Sequence, residues 1–371
     1  MPQEASNVAD GFVGGEGDHT SAAGSSWGSR MAPAILAVGL LALAVSIVFR
    51  ATGGVTAGVP PVTRSPITLA APGRGSGDAA THAYGEPDER YHAALQQDLA
   101  RLRPQHPPLP PPGPGDWLTS HPEGGQTFAD YLASGPNRPT ASRHTIYVQP
   151  LGPFSSAQRQ IVRLAAEYLG HYFALKVVIE PDLSAGAIPR SGVRIHPRTH
   201  EVQVHTGAIL YGVLTPRLPR DAAAYIALTA IDLFPDPRWN FVFGQASPDE
   251  RVGVWSLARF GDPAASEASF RQVLLRTLKT ATHETGHMFG MHHCTAAACN
   301  MNGANSLEEA DRAPLALCPE CLAKTCWLTG VKPSDWLRAQ LGFYRRAGLD
   351  DDAQRTTTAL AALGVAPSAM P

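Results

Sequence analysis

Residues 283–293 read HETGHMFGMHH, and within that run His283, Glu284, His287, Gly290 and His293 have the types and spacing of a metal-dependent hydrolytic site. On a helix of about 3.6 residues per turn, residues four apart stack on one face, so His283 and His287 can reach one ion with the Glu284 carboxylate beside them. Glycine enters the positive-φ conformations of a sharp helix exit, so Gly290 lets the chain turn and return His293 as a third nitrogen ligand. Three protein ligands leave a tetrahedral zinc one open position, where water is acidified to a pKa near ~7. The expected chemistry is metal-assisted hydrolysis, with Glu284 as the carboxylate beside the metal.

HEXXH alone occurs by chance on ordinary surface helices. The added glycine and histidine extend it to the HEXXHXXGXXH spacing of a metzincin-type site. Met301 fits the methionine such a site carries on a turn below the metal; the plainer reading is a core methionine filling a gap. All five cysteines follow the helix. Cys294, Cys299, Cys318 and Cys321 form C-x4-C and C-x2-C pairs, suited to four thiolates around one closed, structural zinc. A disulfide framework is the alternative, but a chain of 371 residues that is 44% hydrophobic can bury a core without staples. Cys326 is left over, either a buried free thiol or a reactive one.

The run HETGHMFGMHHC, Cys299 with Met301 two residues on, and CPEC at 318–321 resemble the archaemetzincins, zinc peptidases of the metzincin clan. Similar features occur in GDWLTSHPEGGQTF, RHTIYVQPLGPFS, FPDPRWNFVFGQAS, RVGVWSLARF and NSLEEADRAPLALCPECL, so the resemblance spans about 115–346. It implies a catalytic zinc on His283, His287 and His293, Glu284 as general base, and a second zinc on the four cysteines. It also implies an α/β (α+β) zincin-like fold: a mixed twisted sheet packed with the active-site helix, then a small C-terminal subdomain stabilised by the four-cysteine zinc. Aminopeptidase-like action on short peptides is a further implication. The gap from Met301 to Cys318 is one residue shorter than the family pattern.

The elements that must hold this site surround it. HTIYVQPL at 144–151 alternates like a strand, SAQRQIVRLAAEYLGHYFA from 156 has helical spacing, and KVVIEP follows as a second strand, a βαβ opening. EVQVHTGAILYGVL, AAYIALTAIDLF and WNFVFGQAS continue the pattern. RVGVWSLARF at 251–260 is a strand and, by the resemblance, the sheet edge along the cleft, where an extended peptide would add through backbone hydrogen bonds. The active-site helix is expected over about 263–290, starting at Asp262 and Pro263 or at Ser269 with Gln272. Phe270, Leu274, Leu278, Ala281 and Thr285 form its core stripe, and Lys279 reads as solvated. A closing helix carries Trp336, Leu337, Leu341 and Tyr344, and 347–371 reads as a loose C-terminal tail.

A net charge of -2 and 17% charged residues give no basic surface, so nucleic acid is not an expected partner. A peptide or protein substrate is, with the chain a monomer. The front of the chain has another composition. Residues 1–30 read as a disordered tail, and 32–49 (APAILAVGLLALAVSIVF) as an uncharged run between Arg30 and Arg50, long enough to cross a bilayer. The expectation is a transmembrane helix or signal anchor at 31–50 and a single-pass membrane location, with a cleaved secretory signal as the alternative. Sparse arginine on both sides leaves the orientation open. Residues 51–115 read as a Pro/Gly-rich tether, interrupted at 88–103 by a helical stretch that docks on the domain or stands alone. The peptidase domain is expected at 116–346. Two non-enzymatic alternatives remain: a partner-binding descendant, against which the retained Glu284 argues, and a scaffold holding one zinc on its cysteines.

Overall fold

The structure, a computed structural model, describes residues 13–14, 65–69 and 87–367. Their elements belong to one compact unit of Met1–Gly15 with Pro66–Pro371. The first strands in chain order are β1 (Val13–Gly14), β2 (Ile67–Leu69), β3 (Thr145–Leu151), β4 (Lys176–Ile179), β5 (Val193–Ile195) and β6 (Val202–His205). They are followed by β7 (Ala222–Thr229), β8 (Asp232–Phe234), β9 (Phe241–Val242), β10 (Gly244–Ser247) and β11 (Val252–Ser256). The principal helices are α1 (Glu89–Leu102), α2 (Ser156–Phe173), α3 (Glu267–Met288), α4 (Pro319–Thr329), α5 (Pro333–Ala347) and α6 (Asp350–Ala362).

The main sheet is mixed, with strand order β10-β11-β7-β3-β4-β2. Its four central strands run parallel, while β10 and β2 flank them antiparallel. A smaller sheet, β1-β9-β8-β6-β5, lies in the same unit. Central β7 is buried along its whole length because the sheet is covered on both faces. Ala224, Ile226 and Leu228 join the helical core with Ile146, Val148 and Trp255, whereas Tyr225 and Ala227 face Ile209, Leu210, Val213 and Leu214 on the other side. The α2 helix starts with a capping box between Ser155 and Gln158 and packs on α3 and α5.

The parallel opening and the helical layer agree with the mixed α/β expectation; several boundaries differ. RVGVWSLARF does not form the sheet edge: β11 lies between β7 and β10, and the edge is the four-residue GQAS strand β10. The stretch 51–115 is not simply a tether. Residues 67–69 pair antiparallel with β4, and α1 docks on the domain because its apolar stripe buries Leu95, Leu99 and Leu102. Tyr91 Oη donates to the carbonyls of Cys326 and Val331 at 2.7 and 3.1 Å, and the Leu109 amide donates to Ala296. At the other end, 350–362 forms α6, whose Leu360, like Leu363 beyond it, is buried against the helical core rather than trailing loosely.

The single-pass membrane assignment is corrected. Among the described residues no helix is long and apolar enough to cross a membrane, and the run 32–49 on which it rested lies outside them, as does the tail 1–30 apart from residues 13–14.

Candidate active site

The α3 helix begins between the two expected starts, with Ser266 as cap accepting from the Ser269 amide. Leu274, Leu278 and Ala281 anchor it in the core, with Phe270 partly buried against them. That anchoring presents His283 and His287, one turn apart, with their Nε2 atoms 2.9 Å from each other. Their outer nitrogens are committed: His283 Nδ1 lies 2.8 Å from the Asn300 carbonyl oxygen and His287 Nδ1 2.6 Å from that of Met291. An Nδ1–H donated to a carbonyl fixes the tautomer and leaves the Nε2 lone pair for a cation.

After Met288 the chain leaves the helix at Gly290, which has φ +83°, and a β-carbon there would lie 3.1 Å from Cβ of Pro136. The turn brings His293 back, its ring centroid 5.2 Å from His283 and 5.0 Å from His287. Potential ligand atoms of the three histidines all lie within 4.8 Å of one another. Burial, then the neighbouring imidazoles, pushes His283 well below the usual histidine range; burial and His293 push His287 down to about 3. Three buried imidazoles with converging ring nitrogens suit a zinc ion.

Met301 is fully buried beneath α3, and a β-carbon on Gly286 would sit 2.9 Å from its sulfur. Glu284 is fully buried beside His283, and β10 passes against it: a β-carbon on Gly244 would lie 3.4 Å from Glu284 Cγ. Lys279 is not solvated. It is buried, and Nζ donates to the carbonyls of Ala310, Asp311 and Ala313, tying α3 to the turn before the second cysteine pair.

Cys294, Cys299, Cys318 and Cys321 are free, buried and gathered, with their sulfurs within 4.8 Å. The Sγ atoms of Cys294 and Cys318 are 3.5 Å apart, and the Cys318 amide donates to the Cys299 sulfur. Hydrogen bonds from the other three thiols hold Cys294 well below the usual thiol range, while burial pushes Cys299 up and the hydrogen bond to Cys294 pushes Cys321 up; it is the close gathering of four sulfurs that fits a tetrathiolate metal site. Cys326 lies apart, and burial pushes its thiol up, so it is a buried, unreactive thiol.

Four contributors were not singled out from the sequence. Both Glu123 carboxylate oxygens approach His293 Nδ1, at 3.1 and 3.0 Å. Burial would raise that carboxyl, but the hydrogen bonds from His293 and Trp117 hold it below the usual carboxylate range. Gln126 accepts from the His292 amide and donates to the Gly290 carbonyl, and Lys324 in turn donates to Gln126. Asn300 reaches back to the Lys279 carbonyl and the Thr282 hydroxyl. Their only signal in the sequence is polarity, in loops for Glu123, Gln126 and Asn300 and within α4 for Lys324; the partners are brought together by the fold.

Residues 222–326 match Peptidase family M54. Archaemetzincin-2 of Pongo abelii is 38% identical over 243 residues, covering 57% of this chain and 67% of that protein. Archaemetzincin-2 of Homo sapiens is 37% identical with the same coverage. Among solved structures, the archaemetzincin of Archaeoglobus fulgidus shares 29% identity, covering 48% of this chain and 99% of its own, with a TM-score of 0.39.

Proposed function

The chain belongs to the archaemetzincin family and is a zinc metallopeptidase, and on that premise we propose that His283, His287 and His293 hold the catalytic zinc and that Glu284 is the general base of peptide hydrolysis. One observation carries the reading. Three buried imidazoles have their outer nitrogens committed to Asn300, Met291 and Glu123, and the helix that bears two of them sets a buried carboxylate next to His283.

Zinc held by His283, His287 and His293 would supply a Lewis acid that polarises the peptide carbonyl and acidifies the attacking water. Glu284 accepts the proton released as the peptide carbonyl is attacked, and returns it to the departing amine. Its burial shields that transfer from bulk solvent. An extended substrate is aligned along β10, an edge strand of the main sheet among the described residues, whose Gly244 lies against Glu284. Cys294, Cys299, Cys318 and Cys321 hold a second, structural zinc, giving two ions per chain. The family resemblance alone supports aminopeptidase-like action on short peptides.

The test is metal counting alongside cleavage of an unbiased peptide library, with and without chelator. Glu284→Gln is expected to keep two zinc ions while cleavage falls by about 10²–10⁴-fold. Cleavage at the parental rate removes Glu284 from the base role, and one ion held only by the cysteines favours the scaffold. Equal cleavage of free and acetylated amino termini removes the aminopeptidase reading.

A further inference from the structure

Two of the converging histidines are braced by backbone from the same stretch of chain: His283 by Asn300 and His287 by Met291. The third is braced differently. His293 Nδ1 meets the side chain of Glu123, 170 residues earlier, with both carboxylate oxygens within hydrogen-bond reach. We propose that Glu123 is a positioning residue of the catalytic metal site: it fixes His293 with Nδ1 protonated and supplies a negative charge that helps balance a divalent ion. This rests on the three-histidine reading above.

Glu123 is itself held. Its Oε1 accepts from Trp117 Nε1 at 2.7 Å, and the buried Trp117 ring stands edge-on to His293 at 5.0 Å and stacks on His121 at 3.9 Å. The Trp117 amide donates to Glu309 at 2.8 Å, anchoring that end of the segment to the short helix Leu307–Arg312. Three residues after Glu123, Gln126 grips the backbone on the near side of His293, at Gly290 and His292. One segment thus fixes both the backbone that presents the third ligand and the ring itself.

Charge gives the second reason. Imidazole ligands are uncharged, so a carboxylate held against one of them helps to balance a divalent ion, and Glu123 stands in that place. Glutamine at 123 keeps the size and one acceptor oxygen but loses the charge and the paired approach to Nδ1. Carboxylates that orient a metal-bound histidine in this way typically contribute 10–100-fold to metal affinity.

The experiment uses the full chain with Glu123→Gln and Trp117→Phe, the latter keeping an aromatic ring but removing the donor to Glu123. Zinc affinities are measured by competition with a chelating dye, and the absorption spectrum is recorded after cobalt(II) substitution. Glu123→Gln is expected to bind zinc at the histidines about 10–100-fold more weakly. The ligand-field bands of cobalt there shift, while the thiolate charge-transfer bands of the four-cysteine site do not. Trp117→Phe moves the same site in the same direction by less. Parental affinity and an unchanged cobalt spectrum in Glu123→Gln, with only a lowered melting temperature, make Glu123 a structural strap and overturn the proposal. If Glu123→Gln fails to fold, parental histidine-site affinity in Trp117→Phe overturns it. A parent protein that takes up no second metal refutes the three-histidine reading itself, a separate failure.

Discussion

The fully buried Lys324 ammonium donates to both the backbone carbonyl and the side-chain oxygen of Gln126, and so joins α4, which carries Cys321, to the segment that supports His293. Lys324→Met retains the apolar stem and removes the donors. Hydrogen bonds to a charged group contribute roughly 1.5–3 kcal/mol, so a stability loss of that order is expected in urea titration. A parental midpoint would mean that Gln126 is held without it.

Gly286 and Met301 give a prediction of opposite sign to helix propensity. Alanine inside a helix is ordinarily favoured over glycine by about 1 kcal/mol. Here its methyl would lie 2.9 Å from the Met301 sulfur, with Met291 sulfur also close at 3.6 Å. Displacing a packed, buried side chain costs about 1–3 kcal/mol, so Gly286→Ala is expected to be net destabilising. The cost should shrink when Met301→Ala is combined with it, and strict additivity in denaturant melts would count against the contact.

The expected pH dependence of the metal-free protein has a definite sign. The His287 pKa falls from 6.5 in the unfolded chain to about 3 in the fold, and His283 moves the same way. Between those values the unfolded state binds the proton and the folded state does not. The stability tied to His287 is therefore fully present above about pH 6.5 and declines toward pH 3, at about 1.4 kcal/mol per pH unit, and that tied to His283 falls in the same direction. Urea midpoints of chelator-treated protein between pH 7 and 4 measure it; a flat profile would remove the buried neutral imidazoles.

These contacts mark where the sequence stops being legible. The i, i+4 histidines, the glycine exit and the paired cysteines can be read because each depends on near neighbours in the chain. Glu123 cannot, since its partner is 170 residues away and nothing local distinguishes a carboxylate in HPEGG from a solvated one. Lys279 misleads for the same reason: its three carbonyl acceptors, at 310–313, exist only once that turn has folded against α3. The β10 edge is GQAS, too short and too polar to show alternation, so nothing local marks it as the strand beyond β11, on which the family resemblance places the edge. Proline-rich composition hid a docking surface, because the burial that fixes α1 comes from three leucines rather than from the flanking residues.

Thiol chemistry separates the five cysteines. In the metal-loaded protein none is expected to react rapidly with a disulfide reagent, because the four clustered cysteines would be ligands and Cys326 is buried with a raised pKa. Chelation should release four reactive thiols, and the fifth should appear only on denaturation. Five simultaneous reactions would contradict the separate environment of Cys326.

His293 and Cys294 are consecutive in the chain, yet their side chains enter different clusters. One peptide unit therefore serves as a strut between the three-histidine and four-cysteine clusters, and a residue added or removed there is expected to displace side chains from both.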